Sequence, residues 1–279
     1  MSPSPLALIR DLGYAGSVKS ALQALLLLAF AAPSWAGEVA CNLDRGVLIA
    51  PAEVMGVTGD FVIDTGEPRT LLAETQAQAA GFKDVALKGS VRLAGVTWAD
   101  RPIAVADLDA RTVFLATPVA GVIGVDLLRE RIVDVSFAPC RLAIHDPGAA
   151  PAFNAGRLLE MGWASDLPVV QAAVADGAHS WPADFTPATG MDLSLRLDDR
   201  VASAPAASKP QELYPGGVWR APLANLIFAG DIYRDVDTGL MKGTANGPPP
   251  AGLIGGRVLS HYRLRFDVPA GRLYLTPAR

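Results

Sequence analysis

Asp64 closes an apolar run, Phe61 to Ile63, and Thr65 and Gly66 follow it. A carboxylate at the end of a buried strand is costly to ionise unless something uses it, because desolvation penalises the charged form. Thr65 offers a hydroxyl that can tie a turn to neighbouring backbone, and Gly66 lets the chain bend with no Cβ in the way. These are the residue types of acid–base chemistry, so Asp64 is the first candidate for a functional side chain. The tripeptide alone is a weak signal, since Asp-Thr-Gly recurs at Asp237 to Gly239, and its surroundings must decide.

Other chemistries find little support. His145, His179 and His261 are scattered without metal-ligand spacing, so a metal site is not expected, the histidines are read as surface residues, and no cofactor is implied. No G-x-S-x-G, P-loop or G-x-G-x-x-G follows a strand and opens a helix, and serine-hydrolase and nucleotide readings lapse. Trp98, Trp163, Trp181 and Trp219 read as core or rim rather than as a ligand box. A net charge of −4 in 279 residues leaves no basic surface for phosphates and argues against nucleic acid. With 51% hydrophobic residues the chain can fill one large or two small cores.

Residues 1–36 read as a cleavable secretory signal. Arg10 and Lys19 precede the apolar run ALQALLLLAFAA, and Ser34 and Ala36 occupy the −3 and −1 sites of cleavage. That run is far shorter than the roughly 20 residues of a membrane span, and Pro33 breaks it. A periplasmic or secreted protein starting at Gly37 is therefore expected, with no membrane contact once the signal is gone. In an oxidising compartment the two cysteines, Cys41 and Cys140, are expected to form one bridge, two buried thiols being the alternative.

The elements that must position Asp64 come into view as a duplication. GVLIAPAEVMG and DFVIDTG read as strands of a hairpin, LLAETQAQAAGF from Leu71 as a short helix stopped by Gly81, and SVRLAGVTWADRPIAVADL as two strands turning at Gly95. The uncharged stretch 147–156 reads as part of a linker. The second half then repeats the first. Residues 121–144 lie over 252–275 without a gap (252 − 121 = 131), with Gly121, Ile123, Gly124, Leu128, Arg141 and Leu142 meeting identical residues. DFVIDTG lies over DFTPATG (184 − 60 = 124), and Gly95 over Gly230 (230 − 95 = 135). The second half thus carries 135 − 124 = 11 extra residues between its turn and its middle glycine.

These anchors, an apolar strand ending in D-T-G and a G-[VLI]-[IL]-G-x-x-x-L segment some sixty residues on, resemble the pepsin-like and retropepsin-like aspartic peptidases over nearly the whole mature chain. The resemblance implies an all-β fold of two barrel-like lobes about a pseudo-two-fold axis, with lobes over 37–147 and 159–279, a linker over 148–158, and an active-site turn built from Thr65, Gly66, Thr189 and Gly190. It implies a reaction that needs two carboxylates in contact. Such a pair shares one proton, so that one member is a base toward water and the other an acid toward the peptide carbonyl.

The sequence departs from that pattern at one position. Asp64 falls on the catalytic site of its half, but its partner position is Ala188, which can neither accept nor donate a proton. Asp237 stands only 15 residues before its G-L-I-G segment (252 − 237), against 57 for Asp64 (121 − 64), and lies over Pro102 in the repeat, so it is not expected to replace the missing acid. The extra residues of the second half suit a flap, with Tyr214, Gly216 and Gly217 at its tip. The expected function is hydrolysis of peptide bonds with Asp64 as the surviving acid. The alternative is a binding module for peptides or proteins that kept the cleft and lost the chemistry. A monomer is expected, with pairing of first lobes between two chains, to rebuild an Asp64 dyad, as the other possibility.

Overall fold

A computed structural model of the chain describes residues 37–176, 179–198, 211–214, 218–220, 225–241 and 250–278. The expected signal, residues 1–36, lies outside the described residues.

The first half builds a closed barrel. β2 (Asn42–Asp44), β3 (Val47–Val54), β4 (Val57–Ile63), β5 (Leu71–Ala73), β6 (Ala86–Leu93), β7 (Val96–Ala106) and β8 (Gly121–Ile123) form one sheet in the order β2-β3-β4-β8-β5-β7-β6, and β6 returns to β3. Closure leaves no free edge on that ring and surrounds an apolar interior of Leu48, Phe61, Leu72, Val91 and Ile103. The β6–β7 hairpin turns at Ala94 and Gly95, both at positive φ, as the two-residue turns that match strand twist require. Leu71 to Ala73 is strand rather than the start of a helix, and the helix α1 runs only over Glu74–Ala79. Leu71 and Leu72 are held by β8 on one side and β7 on the other, and that pairing overrides the helical preference of the sequence after them. The next helical turns are α2 (Asp109–Thr112) and α3 (Val125–Leu128).

An antiparallel layer joins the halves. β1 (Glu38–Ala40), β9 (Ile132–Phe137) and β10 (Cys140–His145) from the first half pair with β21 (Tyr262–Asp267), β22 (Arg272–Pro277) and β11 (Arg157–Ala164) from the second, in the order β1-β10-β9-β21-β22-β11. β11 begins two residues inside the expected linker. Where β9 meets β21, Asp134 stands opposite Arg265. These positions are 131 residues apart, the offset of the sequence repeat, so a residue faces its own counterpart there and the pseudo-two-fold axis passes through that pair. Cys41 and Cys140 are disulfide-bonded beside this layer.

The second half repeats the strand order of the first, with one strand divided and one pair added. β12 (Leu167–Asp176) and β13 (His179–Ala188) form the hairpin, and β20 (Gly252–Gly255) runs parallel to β13 as β8 does to β4. The registers carry the sequence offsets: Phe61 pairs with Gly121 and Phe185 with Gly252. β14 (Leu195–Asp198) takes the place of β5, and β17 (Asn225–Phe228) that of β6. The long strand β7 is represented by two pieces, β18 (Asp231–Arg234) against β17 and β19 (Thr238–Met241) against β14. β15 (Gln211–Tyr214) and β16 (Val218–Arg220) form an added antiparallel pair at the far edge, and α4 (Gly256–Leu259) follows β20. The arrangement is the two-lobed double barrel.

Candidate active site

The apolar strands β4 and β13 are buried at their ends, and each delivers its turn to the junction of the halves. There Thr65 and Thr189 grip one another: the Thr65 amide donates to Thr189 Oγ1 at 3.2 Å, and the Thr189 amide to Thr65 Oγ1 at 3.3 Å. Each hydroxyl in turn donates across the axis, Thr189 Oγ1 to the Ile63 carbonyl at 2.6 Å and Thr65 Oγ1 to that of Pro187. Both threonines are fully buried, so these bonds meet polar demands that water cannot reach. The reciprocity gives Thr-Gly in the second half a structural task that does not depend on the residue before it.

Asp64 sits on top of this grip with its side chain 5% exposed. Its Oδ1 accepts from the amide of Gly66 at 2.7 Å and from that of Gly190 at 3.1 Å, one from each half. Glycine is required at both positions. A Cβ on Gly190 would lie 2.5 Å from Asp64 Cβ, and one on Gly66 would lie 2.6 Å from Ala188 Cβ. Ala188 is 1% exposed and packs with Met191, Leu253 and Leu193. Across the junction, therefore, the turn of Asp64 meets a small apolar cluster.

The other oxygen of Asp64 is occupied by a residue that no motif announced. Arg111, on α2, donates through one terminal nitrogen to Asp64 Oδ2 and through the other to Glu67 Oε2 at 2.8 Å. One guanidinium thus bridges two carboxylates, the fork geometry that suits arginine. Burial pulls the Arg111 guanidinium toward the neutral form, but the charges of Asp64 and Glu67 outweigh it, and its pKa is raised overall. Glu67 is pushed above its ordinary value, chiefly by burial and also by the nearby Asp64, against the pull of Arg111. Arg111 is a third exposed, so the bridge forms the solvent-facing side of the site.

A second arginine, Arg196 on β14, lies across the junction within electrostatic reach of both Asp64 and Arg111. Its pKa is lowered, first by burial and then by repulsion from Arg111, with Asp192 and Asp64 acting in the opposite sense. Arg196 pairs with Leu253 across β14 and β20, and opposed residues of a ladder share a face. Leu253 Cδ2 would lie 3.1 Å from a Cβ on Gly66, which puts that face at the site.

The remaining expected residues fall elsewhere. Asp237 is tied down structurally, its carboxylate accepting from the Ser194 amide at 3.1 Å and from Arg257 at 2.9 Å. Thr238 and Gly239 begin β19. By register Gly239 faces Arg196 as Ala104 faces Leu71, which keeps the 135-residue offset of the repeat. Of the expected flap, Tyr214 ends β15, whereas Gly216 and Gly217 lie outside the described residues. His145 is not a surface residue: its side chain is 14% exposed and its Nε2 lies 3.4 Å from Asp134 Oδ2. His261 is exposed, and the side chain of His179 lies outside the described residues. Trp98 is core, whereas Trp163 is exposed with Arg129 stacked 4.4 Å over its ring. Among the described residues no cluster of three or more His, Cys, Asp or Glu could hold a metal ion.

No protein-family model matches the chain, and no curated protein matches it in sequence. Among solved structures it is similar to the aspartic proteinase from Irpex lacteus, with a TM-score of 0.51 and 13% identity, over 87% of this chain and 97% of that one. At that identity the likeness is one of architecture: the chain has the two-lobed fold of a pepsin-like aspartic proteinase.

Proposed function

We propose that this protein holds an extended peptide or protein segment between its two lobes and does not cleave it efficiently. The observation that carries this reading is the Arg111 guanidinium on Asp64 Oδ2, opposite the methyl group of Ala188. A hydrolytic dyad needs one carboxyl to orient and deprotonate water and a second to protonate the carbonyl oxygen. Here the first has its outer oxygen taken by a cation and the second is absent. What survives is the framework: the threonine grip, the two glycine amides and the open side beyond Arg111. The hydrolase reading, with Asp64 as the surviving acid, would require Arg111 to leave and another donor to arrive. The disulfide supports export to the periplasm or beyond, where such bonds persist.

Retention of intact peptides tests this reading. The folded protein, incubated with a mixed-sequence peptide library and separated from unbound material, should retain uncut peptides. Hydrogen exchange should slow on binding around residues 61–66, 111 and 186–190. A library that passes through unretained at every pH would overturn the binding reading, and new peptide termini that require Asp64 would restore the hydrolase.

A further inference from the structure

We propose that Arg196 is a specificity residue, and that the ligand of this cleft carries a carboxylate which pairs with it. The inference deepens the peptide-binding reading and rests on it. Asp64, Glu67 and Arg111 of the first half are in contact, and Arg196 of the second lies within electrostatic reach of Asp64, Arg111 and its neighbour Asp192. The first three satisfy one another through the Arg111 bridge. Asp192 influences Arg196 only through space, and among the described residues Arg196 makes no hydrogen bond and no ion pair.

An arginine in that position is expensive for the fold. Its counterpart in the first half, by its pairing with both neighbouring strands, is Leu71, which packs against an apolar cluster of Val47, Ile49 and Val62. A leucine at position 196 would bury its stem without desolvating a charge. Five guanidinium donors facing a partly dry site are instead a standing demand for an acceptor, and a planar carboxylate matches their fork. Burial pushes the Arg196 guanidinium down, the sign of a cation with too little compensating charge near it. Gly239 faces Arg196 across β14 and β19, and a Cβ there would come 2.7 Å from Leu193 Cδ1 and 3.9 Å from Arg196 Cγ and Nε, so only a bare backbone lies beside the arginine stem.

The carboxylate can come from an Asp or Glu side chain or from a peptide C-terminus, and one experiment separates these sources. The full mature protein is titrated with an extended peptide library in paired versions, one containing Asp and Glu and one with Asn and Gln in their place, each with a free and an amidated C-terminus. The acidic version is expected to bind about tenfold or more tightly than the neutral one, as a charge-assisted bond in a partly buried site allows. If amidation removes the preference, the terminus is the source; if not, a side chain is. In both cases the preference should collapse in Arg196→Gln, survive in part in Arg196→Lys, and shrink with added salt. Equal binding of the two versions, or a preference that persists in Arg196→Gln, would overturn the assignment while leaving peptide binding intact. Absence of binding by any version would overturn both.

Discussion

At the residue scale two features act together at the site, a methyl group at position 188 and a guanidinium from position 111. Restoring the acid alone should not restore the reaction, because a new carboxylate would enter beside Asp64 within reach of Arg111, whose fork already bridges two carboxylates. Ala188→Asp is therefore expected to remain inactive on peptides at about pH 4 to 5, the range in which shared-proton dyads work. Ala188→Asp combined with Arg111→Met should raise cleavage by about 10²-fold or more, the scale of one general acid. Peptide turnover followed by mass spectrometry checks both, and activity in the single variant would show that Arg111 does not block the site. Asp64, Thr65, Ala188 and Thr189 were legible in the sequence because the repeat fixes their spacing. Arg111 was not, since it lies 47 residues from Asp64 on a helical turn that has no described counterpart in the second half. Arg196 was hidden differently. It falls in a four-residue strand, LRLD, between two anchors, and only the register shows that it stands where the first half has a leucine.

At the scale of elements, the strands that alternate or run apolar between glycines were legible, and so was the Gly95 turn. The three-residue strand β5 was not, because so short an element has no period of its own and exists through its neighbours on both sides. The division of the long second-half strand into β18 and β19 was also invisible. There Asp231 holds β18 to the neighbouring layer: it accepts a bidentate pair from Arg157 on β11 and a bond from Tyr262 on β21, and Tyr262 in turn accepts from Tyr233 at 2.7 Å. Hydrogen bonds from Arg157 and Tyr262 hold the Asp231 carboxyl down at about 2, while burial and the bond to Asp231 push the Tyr262 phenol up. A carboxyl depressed in the fold stabilises it above the unfolded value of about 3.9, and that contribution fades as the pH falls through the folded value. Asp231→Asn should therefore lower the melting temperature at pH 7 and narrow its further loss between about pH 4 and 2. Melts at the two ends of that window check this. Asp231 is partly exposed, so the effect should be modest.

At the scale of the whole molecule, the two halves are committed to each other by an asymmetric pair at their axis. Arg265 Nε and Nη2 each lie 2.6 Å from an oxygen of Asp134, and Arg265 Nη1 donates to the Pro151 carbonyl at 2.7 Å. Both side chains are buried, so removing Arg265 leaves the Asp134 carboxylate with only the His145 imidazole, 3.4 Å away, beside it. Arg265→Ala should cost about 3 to 5 kcal/mol by urea unfolding. The same pair opposes a dimer of first lobes, because across a true two-fold axis Asp134 would meet another Asp134. The internal repeat made the double barrel legible, whereas the charge pair at its centre showed only once the register was known. Under the proposed function a fold of the peptidase type here binds without cutting, because Asp64 is bridged by Arg111 and faces the methyl group of Ala188. The most direct measurement compares wild type with Asp64→Asn on one peptide library at about pH 4 to 5, at concentrations where sedimentation shows only monomer. Equally negligible cleavage by both is expected. Strong wild-type cleavage that disappears in Asp64→Asn would contradict that reading.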